Sequence, residues 1–206
     1  MNISDDLDFI YPVLNRFVSF TREHLDGEPE PSMEECENAV LKLSKHFKSY
    51  QDWYNFFFEL AEEYDLSELE HLLIAGKKLF PNSSIFYACY VELSLHLGIS
   101  ERADIAFKNI EKAIMIDPEN PNLYVLRGIM KQVFKVVKNE NRGDKYEDWQ
   151  KAIELDPRCV NAYETIAGHK KLEGKNKEAI ENYKKVLLYG NEEQKGDAAF
   201  FINQLK

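Results

Sequence analysis

One stretch of the chain, residues 156–190, constrains the fold most, because it has the pattern of two amphipathic helices joined by a tight turn. Gly174 marks the turn. Ala167 and Ala179 stand on either side of it, where two crossing helices must approach closely, and an aromatic residue lies four positions from each alanine. A single hairpin cannot bury its apolar face alone, so the stretch predicts further copies stacked on it.

The further copies are visible from the residues that close each second helix, which are Pro81, Pro118, Pro157 and Asn191. They lie 37, 39 and 34 residues apart, which are lengths typical of helix-hairpin repeats. The extra residues of the longest unit fall in the stretch 138–144, whose Asn, Gly and Asp residues favour a loop. The unit that closes at Pro81 fits least well, because Phe57 and Leu69 stand where small residues are usual.

Hydrophobic periodicity predicts about eleven helices. They are expected over residues 4–25, 33–48, 50–64, 67–79, 83–98, 101–116, 121–138, 144–155, 159–173, 176–189 and 192–205. Capping boxes are expected at the starts of two of them, Ser32 with Glu35 and Ser67 with Glu70. A Gly- and Pro-containing break at 27–31 suggests a divergent N-terminal helical hairpin over 1–48 and a repeat array over 49–206. The hairpin could stack on the array or fold back into its groove.

The spacing of small and aromatic residues resembles the tetratricopeptide repeat. This resemblance implies an all-α fold, a right-handed α-solenoid of helix hairpins. The helix at 192–205 would then be a C-terminal cap that covers the last apolar face. The resemblance also implies a protein that binds another protein or a peptide and catalyses no reaction.

In tetratricopeptide arrays the first helix of each repeat lines a concave groove that binds ligands. By this resemblance the groove is presented by Val91, Leu95, Asn122, Val125, Ile129, Gln132, Asn161, Glu164, Gly168 and Lys171. The alternative that the apolar members pack against other helices remains open. Some members of the family bind chaperone C-termini through a two-carboxylate clamp of Lys, Asn and Arg. That clamp is missing here, since its positions hold Val91, Leu95, Leu126, Asn161 and Thr165.

Four basic residues, Arg127, Lys131, Lys135 and Lys138, step by 4, 4 and 3 positions and so share one helix face. Such a row could receive an acidic peptide or a phosphate-rich ligand. The alternative is a solvated or ion-paired face, which is the commoner situation for charged residues on a helix.

The segment from residue 116 to 190 is also similar to the last repeats of the Tom70 family of mitochondrial import receptors. The similarity lies in the run 124–128 (YVLRG), in Cys159 with the run 162–165 (AYET), and in Gly174 with Ala179 and Ile180. It implies a client-binding protein whose partners are mitochondrial preproteins, placed in the cytoplasm or peripherally at the outer membrane. The chain lacks the N-terminal membrane helix of that family, and its first 80 residues do not visibly match.

A second expectation is a structural subunit of a multiprotein complex, one that could process RNA. It draws on the basic row and on the aromatic helix at 50–64, where Trp53, Tyr54 and Glu59 resemble a half-repeat variant of RNA-processing scaffolds. Direct binding of nucleic acid is not expected, because the net charge is −10. Most of that negative charge falls in residues 1–70.

Several classes of site are not indicated. The five His share no metal-like spacing with Cys or carboxylates, and no phosphate loop, dinucleotide motif or nucleophile elbow occurs, so no cofactor and no enzyme activity are expected. Three separated Cys argue for a reducing compartment. The acidic start differs from a secretory signal, and no apolar run is long enough to span a membrane.

Overall fold

The computed structural model describes residues 31–47, 49–61, 66–97 and 102–206. The chain divides into two compact units, residues 1–116 and 117–206. Residues 1–30 lie outside the described residues. They include the helix predicted over 4–25, which could fold back into the groove, and all but the last residue of the break at 27–31. The predicted domain boundary at residue 48 therefore stays a prediction.

Unit 1 contains five described helices, α1 (Met33–His46), α2 (Tyr50–Leu60), α3 (Leu66–Leu79), α4 (Ile85–Leu97) and α5 (Ala103–Ile116). Helix α3 packs against both α1 and α4, α2 packs against α4, and α4 packs against α5. The core of this unit is aromatic: the Trp53 ring lies 5.1 Å from that of Phe47 and 4.7 Å from that of Phe86. Large side chains thus fill the space that small residues would leave in a regular repeat.

Helix starts in unit 1 follow local capping chemistry. The predicted box at Ser32 and Glu35 is present, with each side chain bonded to the other residue's backbone N–H. An unpredicted box caps α2, where Ser49 and Asp52 make the same pair of bonds. Helix α3 begins at Leu66, before the predicted cap residue, so the expected position of that start was one residue too late.

Unit 2 contains α6 (Pro121–Val133), α7 (Lys145–Leu155), α8 (Val160–Leu172), α9 (Asn176–Tyr189) and α10 (Glu192–Gln204). Helices α6 and α7 form one hairpin, α8 and α9 form the next, and α10 packs on α9. The first helices of the two hairpins, α6 and α8, also contact each other.

The two hairpins of unit 2 repeat a hydrogen bond that explains their Pro and Tyr spacing. The hydroxyl of Tyr124 donates to the carbonyl of Pro118 at 2.9 Å, and that of Tyr163 donates to the carbonyl of Pro157 at 3.1 Å. Each tyrosine therefore ties the first helix of a hairpin to the turn before it. The accepting carbonyls lie just after the end of a helix, where backbone carbonyls have no partner within the helix and need one from elsewhere.

Close packing within the first hairpin depends on a glycine. A Cβ on Gly128 would lie 2.3 Å from Nε1 of Trp149, a fully buried ring that fills the space between α6 and α7. The same indole N–H donates to the carbonyl of Val125 at 3.1 Å. The small residue at 128 is thus needed for the two helices to approach with an indole between them.

The second hairpin and α10 share a core of Ala167, Ala179, Tyr183, Val186, Ala198 and Ile202. The turn between α8 and α9 is made at Gly174, whose φ of +73° favours glycine. Helix α10 therefore covers the apolar face of α9, as predicted for a cap. The described residues form helices, turns and loops and contain no strand, and the predicted all-α, tetratricopeptide-type fold class is confirmed.

The helix predicted over 121–138 does not stay α-helical to its end. Helix α6 ends at Val133, and residues Phe134–Lys138 continue as a π-helix that closes at Asn139 with φ +54°. The backbone N–H of Glu140 also donates to the carbonyl of Phe134, at 3.2 Å. The wider turn shifts the following loop, and such π segments are frequent at functional sites.

Candidate functional site

Eight of the ten predicted groove residues lie in unit 2, as two matching rows on α6 and α8. The first row is Asn122, Val125, Ile129 and Gln132, and the second row is Asn161, Glu164, Gly168 and Lys171. Helices α6 and α8 contact each other, and Asn161 bonds to Asn122, so the first residues of the two rows lie side by side. We call this surface the α6–α8 face.

Polar contacts fasten the α6–α8 face at its edges. The Asn161 side-chain amide donates to Oδ1 of Asn122 at 2.9 Å, which joins the two helices. On the other side, Gln194 of α10 donates to Glu164 at 3.4 Å. The Lys171 ammonium lies 3.9 Å from the ring centroid of Phe201, also on α10. The face therefore continues from α6 through α8 to α10.

The middle of the face is open. Ile129 is partly exposed at the centre of the first row, and Gly168 occupies the equivalent place in the second row. Apart from the backbone of its own helix and its chain neighbours, no heavy atom lies within 4 Å of where a Cβ on Gly168 would be. A partly exposed aliphatic side chain on one helix and an unfilled position at the equivalent place of the next suit an apolar side chain of a bound peptide.

Two of the predicted groove residues are core residues instead. Val125 is 5% exposed, so its side chain is covered by the protein itself and offers almost no surface to a ligand. Val91 of unit 1 is fully buried, whereas Leu95 on the same helix is partly exposed. For these two valines, the structure matches the alternative that they pack against other helices.

Unit 1 presents an aromatic row of Tyr54, Phe58 and His96, of which Tyr54 alone belongs to the predicted half-repeat resemblance. Tyr54 stacks on Phe58 at 5.4 Å between ring centroids, and Phe58 lies 4.5 Å from His96 on α4. Their spacing of four on α2 was a signal that could have found them, since residues i and i+4 share a helix face. Burial is the main cause that raises the pKa of the Tyr54 hydroxyl.

The predicted basic row divides into two halves. Nη2 of Arg127 lies 2.6 Å from Oδ1 of Asp148, and Nζ of Lys131 lies 2.8 Å from its Oδ2. Asp148 is 3% exposed, so these two cations neutralise a buried carboxylate. Lys135 and Lys138 belong to the π-helix and are exposed.

Beside the row lies a cavity of about 310 Å³, here called the loop cavity. It is open to solvent on one side and is bordered by the end of α6, the π-helix, the loop with the start of α7, and the end of α8. Its lining consists of Lys131, Gln132, Lys135, Asn141, Gly143, Asp144, Lys145, Tyr146 and Glu173. Gln132 also belongs to the α6–α8 face, so the cavity adjoins that face.

A polar network fixes Lys145 at the wall of the loop cavity. Its ammonium donates to Oε1 of Gln132 at 2.8 Å and lies 3.1 Å from Nδ1 of His169, so that nitrogen is the acceptor. Burial, assisted by the Lys145 charge, lowers the pKa of His169, which keeps the imidazole neutral. Burial likewise lowers the pKa of Lys145, although the Glu173 carboxylate opposes this shift.

Glu173 is the anionic end of the same network. It accepts from Nζ of Lys175 at 2.9 Å and from the Tyr146 hydroxyl at 2.8 Å. These hydrogen bonds lower the pKa of Glu173, because they favour its charged form. The pKa of Tyr146 is raised, chiefly by burial and then by its bond to Glu173.

Two other kinds of site are missing from the part of the chain that the structure describes. No group of three or more His, Cys, Asp or Glu side chains there could hold a metal ion. None of the helices in that part is both long and apolar enough to cross a membrane. The expected absence of enzyme activity and of a cofactor stays a prediction.

No protein-family model matches the chain. The human mitochondrial import receptor subunit TOM70 is 26% identical over 151 residues, which are 73% of this chain and 23% of the receptor. The chain therefore spans about a quarter of the length of that receptor. The resemblance to import receptors of this family is thus confirmed as a similarity.

Solved structures with a similar fold include TTC0263, a thermophilic tetratricopeptide protein of Thermus thermophilus. The TM-score is 0.57 at 14% identity, with 93% of this chain and 96% of that chain covered. MamA from Desulfovibrio magneticus RS-1, residues 41 to the end, has a TM-score of 0.47 at 17% identity, with 90% and 95% covered. From its helix hairpins and its likeness to TTC0263, the chain has the tetratricopeptide-repeat fold.

Proposed function

We propose that this protein binds a segment of a partner protein along the α6–α8 face and catalyses no reaction. The observation that carries the proposal is the open centre of the face, where the partly exposed Ile129 lies at the place equivalent to Gly168. The mixed rim, with Asn161 at one end and Lys171 at the other, adds hydrogen-bond donors that orient a peptide. An extended or helical segment with apolar anchors fits this surface.

We further propose that the bound segments are mitochondrial preproteins. The similarity to the human import receptor subunit supports this proposal. A client-binding relative of such a receptor would work in the cytoplasm or peripherally at the mitochondrial outer membrane. Co-fractionation with mitochondria and release by salt would support a peripheral location at the outer membrane. An even distribution over all membranes would contradict that location.

The binding proposal can be tested by filling the open centre. Gly168→Leu places its Cβ where no neighbouring element lies within 4 Å, so we expect the fold to tolerate the leucine while the space for a ligand is lost. Gln150→Leu adds the same side chain at an exposed position of α7, a helix that contributes no residue to the face, and serves as the control.

The assay is an array of presequence and carrier-protein segments with scrambled versions of each. We expect the wild type and Gln150→Leu to prefer the native segments and Gly168→Leu to lose that preference. Equal binding by Gly168→Leu would contradict the α6–α8 face as the site. Equal binding of native and scrambled segments by the wild type would contradict the mitochondrial clients alone.

The alternative, a scaffold subunit of a complex that could process RNA, draws less support from the described residues. Trp53 is 3% exposed and packs in the core of unit 1, so it offers no surface to a partner. Arg127 and Lys131 of the basic row are engaged by Asp148. Recovery of one stable complex that persists in Gly168→Leu would favour this alternative.

A further inference from the structure

We propose that the loop cavity binds an anionic group, a phosphate or a carboxylate, carried by the segment that occupies the α6–α8 face. The proposal rests on the proposed function, because Gln132 belongs both to the face and to the cavity wall. It adds a chemical requirement to the partner: an acidic or phosphorylated residue beside its apolar anchor.

The carboxylates of the cavity are already used by other groups. Oδ1 of Asp144 accepts the backbone N–H of Tyr146 at 2.9 Å, as the cap of α7. Glu173 accepts from Lys175 and from the Tyr146 hydroxyl. Both acids are thus shared with other donors, and Glu173 makes only a long ion pair with the cavity lysine Lys145, at 3.9 Å.

Neither Lys135 nor Lys145 has a close ion pair among the described residues. Nζ of Lys145 bonds to neutral acceptors on Gln132 and His169, and its nearest carboxylate oxygen, on Glu173, is 3.9 Å away. Lys135 makes no hydrogen bond or ion pair with the described residues. The charges of Lys135 and Lys145 repel each other, and this repulsion contributes to the lowered pKa of Lys145. An anion between the two ammonium groups would remove that repulsion.

The size of the cavity limits the ligand class. A volume of about 310 Å³ holds roughly ten water molecules, at about 30 Å³ each, which is enough for a phosphoryl or carboxylate side chain with its water shell. The loop that closes the cavity adopts backbone angles that few residues accept, with Asn139 at φ +54° and Gly143 at φ +105°. Such angles are common at ligand sites.

The test titrates the full chain with inorganic phosphate and, separately, with succinate, at constant ionic strength. Trp149 fluorescence reports binding, since its ring lies 5.6 Å from Nζ of Lys145. We expect saturable binding of at least one probe, weakened about threefold by Lys135→Gln and about tenfold by Lys135→Gln with Lys145→Gln. The two probes distinguish phosphate from carboxylate recognition.

The control is Lys151→Gln with Lys184→Gln, which removes the same charge from exposed positions of α7 and α9. Equal weakening by this control, or no saturable binding of either probe, would overturn the proposal. If the loss of Lys145 disturbs the fold, Lys135→Gln alone still tests the proposal, because Lys135 is exposed and its replacement should leave the fold intact. Gly168→Leu separates the two proposals: peptide binding should fail in this variant while the small anion still binds.

Discussion

Adding one methyl group at Gly128 should destabilise unit 2, whereas the same change at Gly168 should stabilise it. A Cβ at residue 128 would lie 2.3, 2.7 and 2.9 Å from three atoms of the Trp149 indole, well inside ordinary contact distance. The ring must then retreat by about 1 Å, and it is fully buried and bonded to the carbonyl of Val125. At residue 168 the new atom meets nothing within 4 Å.

The magnitudes follow from opposing terms. Overpacking a core costs about 1–3 kcal/mol, and a weakened indole hydrogen bond adds about 1 kcal/mol. Replacing a helical glycine by alanine returns about 1 kcal/mol. Gly128→Ala should therefore lose about 2 kcal/mol of unfolding free energy, while Gly168→Ala should gain about 1 kcal/mol.

Urea denaturation followed by tryptophan fluorescence measures both effects. The chain has two tryptophans, and Trp53→Phe leaves Trp149 as the reporter of unit 2 in every variant. Helix propensity rises equally at both positions, so the difference between the two variants isolates the contact with the indole. A Gly128→Ala protein as stable as Gly168→Ala would refute the argument from close packing.

Two further predictions concern charged residues inside the two units. Asp148→Ala should cost about 3 kcal/mol of unfolding free energy in urea denaturation, because Arg127 and Lys131 lose their buried carboxylate. Glu140→Ala, which breaks the exposed pair with Arg142, should cost less than about 1 kcal/mol, and equal costs would contradict the burial argument. Burial lowers the pKa of Lys77 from 10.5 to about 8. Below pH 8 the ammonium is charged in both states, and its burial then lowers the free energy of unfolding by the full amount. This loss of stability becomes smaller as the pH rises from 8 towards 10.5. Lys77→Met should therefore gain more stability over wild type at pH 7 than at pH 10 in thermal unfolding, and a gain independent of pH would contradict the assignment.

Most of the helices of this protein could be predicted because their signals are local. Hydrophobic periodicity, the Pro residues after each second helix, and Gly174 at a turn all act within a few residues of the chain. The box at Ser32 was found for the same reason, since its partner is three residues away. The start of α3 was placed one residue late because more than one neighbouring residue can begin a helix.

The packing details were harder to predict because they join residues far apart in sequence. Asp148 looked like one of many acids on a helix, yet it lies beside Trp149, which packs on Gly128, and so it meets Arg127. The residues just before Gly128 and Trp149 are Arg127 and Asp148, so the glycine–indole contact also brings this ion pair together. The valines at 91 and 125 follow the spacing of groove residues, and only packing distinguishes a groove residue from a core residue.

The loop cavity had no signal in the sequence beyond the composition of its loop. It depends on the π-helix at Phe134–Lys138, which arises from a balance of backbone hydrogen bonds rather than from a motif. It also needs the end of α8 to meet the start of α7, where Tyr146 bonds to Glu173 across 27 residues. Both features follow from tertiary structure alone.

The most direct test of the central claim maps where a bound segment lies. A photo-crosslinking amino acid is placed at Asn161, on the α6–α8 face, or at Gln150, on the exposed side of α7. A segment selected on the peptide array is then added and irradiated. We predict crosslinks from position 161 and none from position 150. Equal crosslinking from both positions would contradict the α6–α8 face as the binding surface.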